Sequence, residues 1–186
     1  MCLRAVSSSP RRRVVQEQEF VQFAVANFPE RAMKAMSAVL LVDDNEADVY
    51  LASEALRMKS DSCHVSSVSD GDAALAFLRH EGRFAGAASP NVVILDLSLP
   101  KKSGEAVLAE LRSDPNLRKI PVVIFSTSRS NRDIVRSYEL GADCYLSKPV
   151  SLNEFVSTIQ LIGSHFGCCE SGTKGEKWNG QKPTYC

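Results

Sequence analysis

The sequence contains no stretch near the roughly 18 consecutive apolar residues that a membrane-spanning helix requires, so no such helix is expected. It has no apolar h-region near its start of the kind secretory signals carry. A cytoplasmic protein with reduced thiols is therefore expected. It has no excess of either charge: Lys+Arg and Asp+Glu number 22 each. That balance argues against a dedicated binder of nucleic acid or of membrane surfaces. The six cysteines, at positions 2, 63, 144, 168, 169 and 186, show no metal-ligand spacing. Cys63 and Cys144 fall in strand-like runs and read as small buried hydrophobes. There is no internal repeat, and 186 residues leave no room for a second folded domain.

What is present is enough for one ordinary core, with 44% apolar residues. Residues 1–37 read as an extension. Ser7–Arg13 (SSSPRRR) is polar, basic and expected to be disordered. Phe20–Phe28 reads as a short helix stopped near Pro29. Met33 and Met36 stand just ahead of the first strand, and one of them is expected to be the true start. Residues 167–186 are rich in glycine and lysine, have no apolar period, and read as a solvated tail.

Between these ends, residues 38–166 alternate regularly. Ala38–Val42 is an apolar strand that ends in Asp43-Asp44, and Asn45 suits the cap of a helix from Glu46 to about Lys59. Cys63–Val68 is a weaker strand, followed by Ser69-Asp70-Gly71 as turn and cap and a helix over Ala73–Arg79. His80–Asn91 reads as a loop. Val92–Leu95 is a short β-branched run of the kind buried on both faces of a parallel sheet, and it ends at Asp96. Pro100 and Gly104 mark a turn into a helix over Gly104–Arg112, which Asp114-Pro115 ends. Ile120–Phe125 is a strand ending in Ser126-Thr127-Ser128, and the helix Asn131–Leu140 is closed by Gly141. Asp143–Leu146 is a last strand before Ser147-Lys148-Pro149, and Ser151 caps a final helix from Leu152 to about Phe166. Five strands alternating with five helices through short connections imply βαβ units. The expected fold is α/β, a doubly wound five-stranded parallel sheet with helices on both faces.

In such a sheet the carboxyl ends of the strands meet along one edge, where ligand chemistry sits. There the sequence places Asp43 and Asp44, Asp96, Ser126 and Lys148. Each alone has an ordinary explanation: helix cap, turn residue, turn hydroxyl, solvated charge. Together they make chemistry. Clustered carboxylates repel and raise one another's pKa, and a hard divalent cation such as Mg²⁺ relieves this. A carboxylate can be a nucleophile and form an aspartyl phosphate, while an ammonium neutralises the phosphoryl group in transfer.

LVDDN at 41–45, LDLSLP with Gly104, FSTS at 125–128 and GADCYLSKP at 141–149 resemble the bacterial response-regulator receiver domain. The spacings of 30 residues from Asp96 to Ser126 and 22 from there to Lys148 are similar to the chemotaxis-type receiver without a gap. The resemblance covers about Ala38–Phe166. It implies a flavodoxin-like receiver fold with strand order 2-1-3-4-5. It also implies Asp96 as phosphoacceptor, and Mg²⁺ held by Asp44, Asp96 and the backbone carbonyl of Ser98, with Asp43 holding the metal's water shell. By the same resemblance Ser126 is the switch hydroxyl, Tyr145 the switch aromatic that moves inward on phosphorylation, and Lys148 the phosphate-binding lysine. The Lys148–Pro149 bond is expected to be cis. Thr127 stands where many members have alanine, and its bulk narrows access to the phosphoryl group.

DLSLPKKSGEAVLAELR and PVVIFSTSRSNRDI resemble most the small single-domain regulators paired with phytochrome-like and hybrid histidine kinases. The implied function is acceptance of a phosphoryl group from such a kinase and output through contact with a downstream protein, without nucleic acid or membrane. The resemblance also implies homodimerisation, through the face of the fourth helix, fifth strand and fifth helix or, in the phytochrome-linked group, a related surface. No enzyme activity is expected beyond self-catalysed phosphotransfer and autodephosphorylation. Two rivals share the fold. A constitutive interaction module would not need the complete carboxylate set. A flavodoxin-like redox protein would need a glycine- and hydroxyl-rich loop after the first strand, where Asp43-Asp44 would repel a flavin phosphate.

Overall fold

The computed structural model describes residues 38–58 and 63–165. The readings made for the N-terminal extension, for Met33 and Met36 and for the tail lie outside the described residues. The elements alternate as β1 (Ala38–Val42), α1 (Glu46–Arg57), β2 (His64–Val68), α2 (Gly71–Leu78), β3 (Val92–Leu95), α3 (Gly104–Ser113), β4 (Val122–Ser126), α4 (Asn131–Glu139), β5 (Cys144–Ser147) and α5 (Leu152–His165). The loop before β3 adds one 3-10 turn, Gly82–Phe84. The strands form one sheet, β2-β1-β3-β4-β5, with every pair parallel.

Alternation along each strand builds two cores. Val39 and Leu41 of β1, with Val92 and Ile94 of β3, face α1 and α5. Leu40, Val42, Val93 and Leu95 face the other way, against α2 and α3. All four residues of β3 are buried, which is why this strand reads as one unbroken apolar run. No helix among the described residues is long and apolar enough to cross a membrane.

The local signals act through identifiable atoms. Asn45 Oδ1 accepts from the Ala47 and Asp48 N–H groups at the start of α1. Asp70 Oδ1 caps α2 at 2.7 Å from the Ala73 nitrogen, so that helix begins at Gly71, two residues before the expected Ala73. Gly141, at φ +92°, closes the end of α4. Ser151 contributes its backbone carbonyl to Phe155 N–H at the start of α5. β4 starts at Val122 and not at the expected Ile120, because Pro121 has no N–H for the ladder and serves only as acceptor to the Val93 N–H. Every peptide bond among the described residues is trans. Lys148–Pro149 is therefore trans, against the expectation of cis. This is the isomer that an X–Pro amide prefers by about 0.5–1 kcal/mol.

Candidate functional site

The ends of β1, β3, β4 and β5 deliver their polar residues to one place, as parallel pairing requires. The Lys148 ammonium is the centre of it. Its Nζ lies 2.6 Å from Asp43 Oδ2, 2.7 Å from Asp96 Oδ2 and 2.9 Å from Asp48 Oδ2. The lysine is only 8% exposed, so these charge-assisted hydrogen bonds act in a partly dry environment. Burial alone would lower its pKa. The hydrogen bonds to Asp43, Asp48 and Asp96 outweigh that and hold it above the ordinary lysine range.

Asp96 is buried and fully engaged. Its Oδ1 accepts from the Ser126 hydroxyl at 2.7 Å and from the Ser98 N–H at 3.1 Å. Burial pushes its carboxyl up, but the donors Lys148, Ser126 and Ser98 N–H together leave it below the usual aspartate value. Asp43 shares the lysine but comes out the other way. Burial raises its pKa more than Lys148 and the Asn45 N–H lower it, and the nearby Asp96 charge adds to the rise. The two neighbouring carboxyls are thus shifted in opposite directions, Asp96 down and Asp43 up.

Of the residues expected from the sequence, Asp43, Asp96, Ser126 and Lys148 are in direct contact. Asp44 follows Asp43 at the exposed mouth, and its carboxylate makes no hydrogen bond or ion pair among the described residues. Ser98 touches Asp96 through its N–H, not through the carbonyl expected to bind metal. Tyr145 is buried in the core beside α2 and α3, and its hydroxyl donates to the Ser128 carbonyl at 2.9 Å. Ser126 and Tyr145 both point inward in this structure. Asp48 was missed. It lies in the first turn of α1, and the only trace of it in the sequence is a further acid five residues beyond Asp43.

The loop between β3 and α3 is clamped on both sides. A Cβ on Gly104 would lie 2.1 Å from the Asp96 carbonyl oxygen, and one on Gly71 would lie 2.3 Å from the Lys102 carbonyl oxygen. Lys101 sits at φ +62° with its ammonium 2.7 Å from Asp70 Oδ2. The clamp holds Asp96 and Ser98 against the other strand ends.

The donor set suits a hard divalent ion. Asp43, Asp44, Asp96 and the Ser98 carbonyl offer only oxygen, and one lysine leaves this acidic edge net negative. As the side chains stand, no group of three His, Cys, Asp or Glu side chains among the described residues is placed to hold a metal ion. The Lys148 ammonium lies among Asp43, Asp48 and Asp96 instead.

Comparison with known proteins shows the family. The profile of the response regulator receiver domain matches residues 39–160. Response regulator Rcp1 of Synechocystis sp. is 41% identical over 126 residues, which is 68% of this chain and 86% of that protein. The crystal structure of the phosphorylated cyanobacterial phytochrome response regulator RcpA superposes with a TM-score of 0.69 at 43% identity, covering 71% of this chain and 94% of that one. The Mn²⁺-bound form of Rcp1 gives 0.67 at 39% identity, covering 74% and 97%. With the strand order, the acidic edge and the matched segment all in agreement, the chain belongs to the response regulator receiver domain family.

Proposed function

We propose that Asp96 accepts a phosphoryl group from a phosphohistidine of a partner kinase, within the two-component signalling to which this family belongs. An Asp96 carboxylate oxygen attacks phosphorus. The new P–O bond forms as the donor's P–N bond breaks, and the electron pair stays on the imidazole nitrogen, which takes a proton. The transition state is loose and spreads charge over the phosphoryl oxygens, so catalysis consists of placing positive charge and donors around them. Lys148 brings a full positive charge and Ser126 a hydroxyl donor. Mg²⁺, held by Asp44, Asp96 and the Ser98 carbonyl with Asp43 on its water shell, would neutralise further charge on the transferring group.

The observation that carries this reading is the pair of contacts on one buried carboxylate: Lys148 Nζ at 2.7 Å from Asp96 Oδ2 and Ser126 Oγ at 2.7 Å from Oδ1. The product adds about −1.5 to −2 charges at the sheet edge if it resembles other phosphorylated side chains. That charge favours the arrangement with Ser126 and Tyr145 inward, shifting an equilibrium by differential affinity. The similarity to the cyanobacterial phytochrome response regulator RcpA supports a phytochrome-like kinase as donor. Output is by contact with a downstream protein, and pairing of two copies through α4, β5 and α5 is the accompanying proposal. Incubation with Mg²⁺ and a small phosphodonor adds one phosphate per chain, read by intact-mass spectrometry, and Asp96→Asn takes none. An Asp96→Asn variant labelled stoichiometrically would refute the assignment.

A further inference from the structure

We infer that Asp48, on α1, is a positioning residue for this reaction: it anchors the Lys148 ammonium so that the lysine keeps its place when its other two partners are needed elsewhere. The inference rests on the phosphoacceptor reading above. An ammonium has three N–H donors, and in this structure Asp43, Asp48 and Asp96 take one each. Asp43 and Asp96 have second tasks. Asp43 Oδ1 accepts from the Asn45 N–H at 3.0 Å, and its carboxylate belongs to the metal set. Asp96 Oδ1 holds Ser126 and the Ser98 N–H, and the carboxylate becomes an acyl phosphate. Asp48 has neither task, and Lys148 is the one partner of its carboxylate among the described residues.

The fold makes Asp48 a fixed support. It stands in the first turn of α1, where the helix dipole favours a carboxylate. Its N–H is held by the Asn45 cap at 3.4 Å. Its side chain is 21% exposed against 6% for Lys148, so it closes the outer side of the ammonium's cage. A lysine stem carries much rotamer freedom and a single point charge. Without Asp48, entry of metal at Asp43 and phosphorus at Asp96 would leave the ammonium with no protein carboxylate to hold it in place against the arriving phosphoryl oxygens.

Two variants separate an anchoring acceptor from a mere negative charge. Asp48→Ala removes the acceptor, whereas Asp48→Asn keeps an amide oxygen that can accept from the ammonium but removes the charge. Both residues suit this partly exposed helical position, and circular dichroism confirms folding. With Mg²⁺ and a small phosphodonor, Asp48→Ala lowers the saturating rate of labelling about tenfold, as loss of one charge-assisted hydrogen bond implies. The half-saturating donor concentration stays unchanged, and Asp48→Asn restores most of the rate. In the metal-free protein the Lys148 ammonium gives a resolved ¹H–¹⁵N signal in the wild type and in Asp48→Asn, and loses it in Asp48→Ala. Wild-type labelling by the alanine variant, or an asparagine variant as slow as alanine, overturns the inference. A wild-type chain that takes up no phosphate overturns the phosphoacceptor reading instead. The ammonium signal needs neither metal nor donor and still decides the anchor: its persistence in Asp48→Ala overturns it.

Discussion

Gly104 carries more of the site than its lack of a side chain suggests. It is the first residue of α3, and its N–H donates to the Leu97 carbonyl at 3.0 Å. A Cβ there would meet the Asp96 carbonyl oxygen at 2.1 Å and the Leu97 Cα at 2.8 Å. These are backbone atoms, so no side-chain rotation relieves the clash. Gly104→Ala must push α3 away from the strand end that presents Asp96. Overpacking of this kind costs about 1–3 kcal/mol, and here it also pulls the carboxylate off Ser126 and Lys148. Urea denaturation should show that loss, and phosphodonor labelling should slow. A variant as stable and as quickly labelled as wild type would mean the contact is soft. At this scale Asp43, Asp96, Ser126 and Lys148 were legible from sequence, because strand ends in a parallel sheet must meet. Asp48 was not. It reaches the site from a helix, and whether an acid one turn into a helix points at a lysine a hundred residues later depends on where the helix starts, which the Asn45 cap decides.

Among the elements, β1 and β3 could be read to the residue because their apolar runs are bounded by carboxylates. The bounds that shifted were set by single atoms, such as the missing N–H of Pro121 before β4 and the Asp70 cap at α2. What no pattern showed is how α3 is tied to the rest. Arg112, in its last turn, donates from Nε to the Gly141 carbonyl at 2.7 Å and from Nη1 to the Ile120 carbonyl at 2.9 Å. Its Nη2 reaches Asp143 Oδ2 at 2.7 Å, and that oxygen also accepts from the Val122 N–H at 2.8 Å. One side chain thus joins the end of α3 to the segments that lead into β4 and β5. In sequence it is one more arginine on a polar helix face. Arg112→Ala removes a donor from three carbonyls, those of Gly141, Arg118 and Ile120, and leaves Asp143 Oδ2 with only the Val122 N–H. The expected loss is about 2–4 kcal/mol, a little below that of a fully buried pair because Asp143 remains partly wet. Arg112→Lys should recover only part of it, since a point charge cannot replace a planar fork. A lysine variant with the wild-type urea midpoint would show that the fork is dispensable.

Across the whole molecule the two ends of the sheet do different work: the carboxyl edge concentrates charge around Lys148, and the amino edge is stitched by Arg112. A third region, around β5 at the edge of the sheet, is held by groups that must stay neutral. Tyr145 is buried with its hydroxyl on Ser128, and its N–H donates to the Tyr138 hydroxyl at 3.2 Å, which covers a ladder group that an edge strand would otherwise expose. Burial raises the pKa of both tyrosines, and it pushes the neighbouring Cys144 thiol up to about 12 from 9.0. Each of these groups has a folded pKa above its unfolded value, so the stability it protects is intact below the unfolded pKa and is lost as pH rises toward the folded one. Cys144 is the first to act, because the unfolded thiol ionises near 9.0, while the tyrosines follow from 10.0. Unfolding free energy should therefore be level at neutral pH and decline from about pH 9, with the thiol alone accounting for roughly 4 kcal/mol by pH 12, at about 1.4 kcal/mol per pH unit. Cys144→Ala removes that first component. Its profile should run parallel to wild type up to about pH 9, then decline less steeply, with a second fall setting in near pH 10 as the unfolded tyrosines ionise. If the two profiles stay parallel through pH 11, the alkaline loss comes from elsewhere, and the buried edge at β5 is not what limits the fold at high pH.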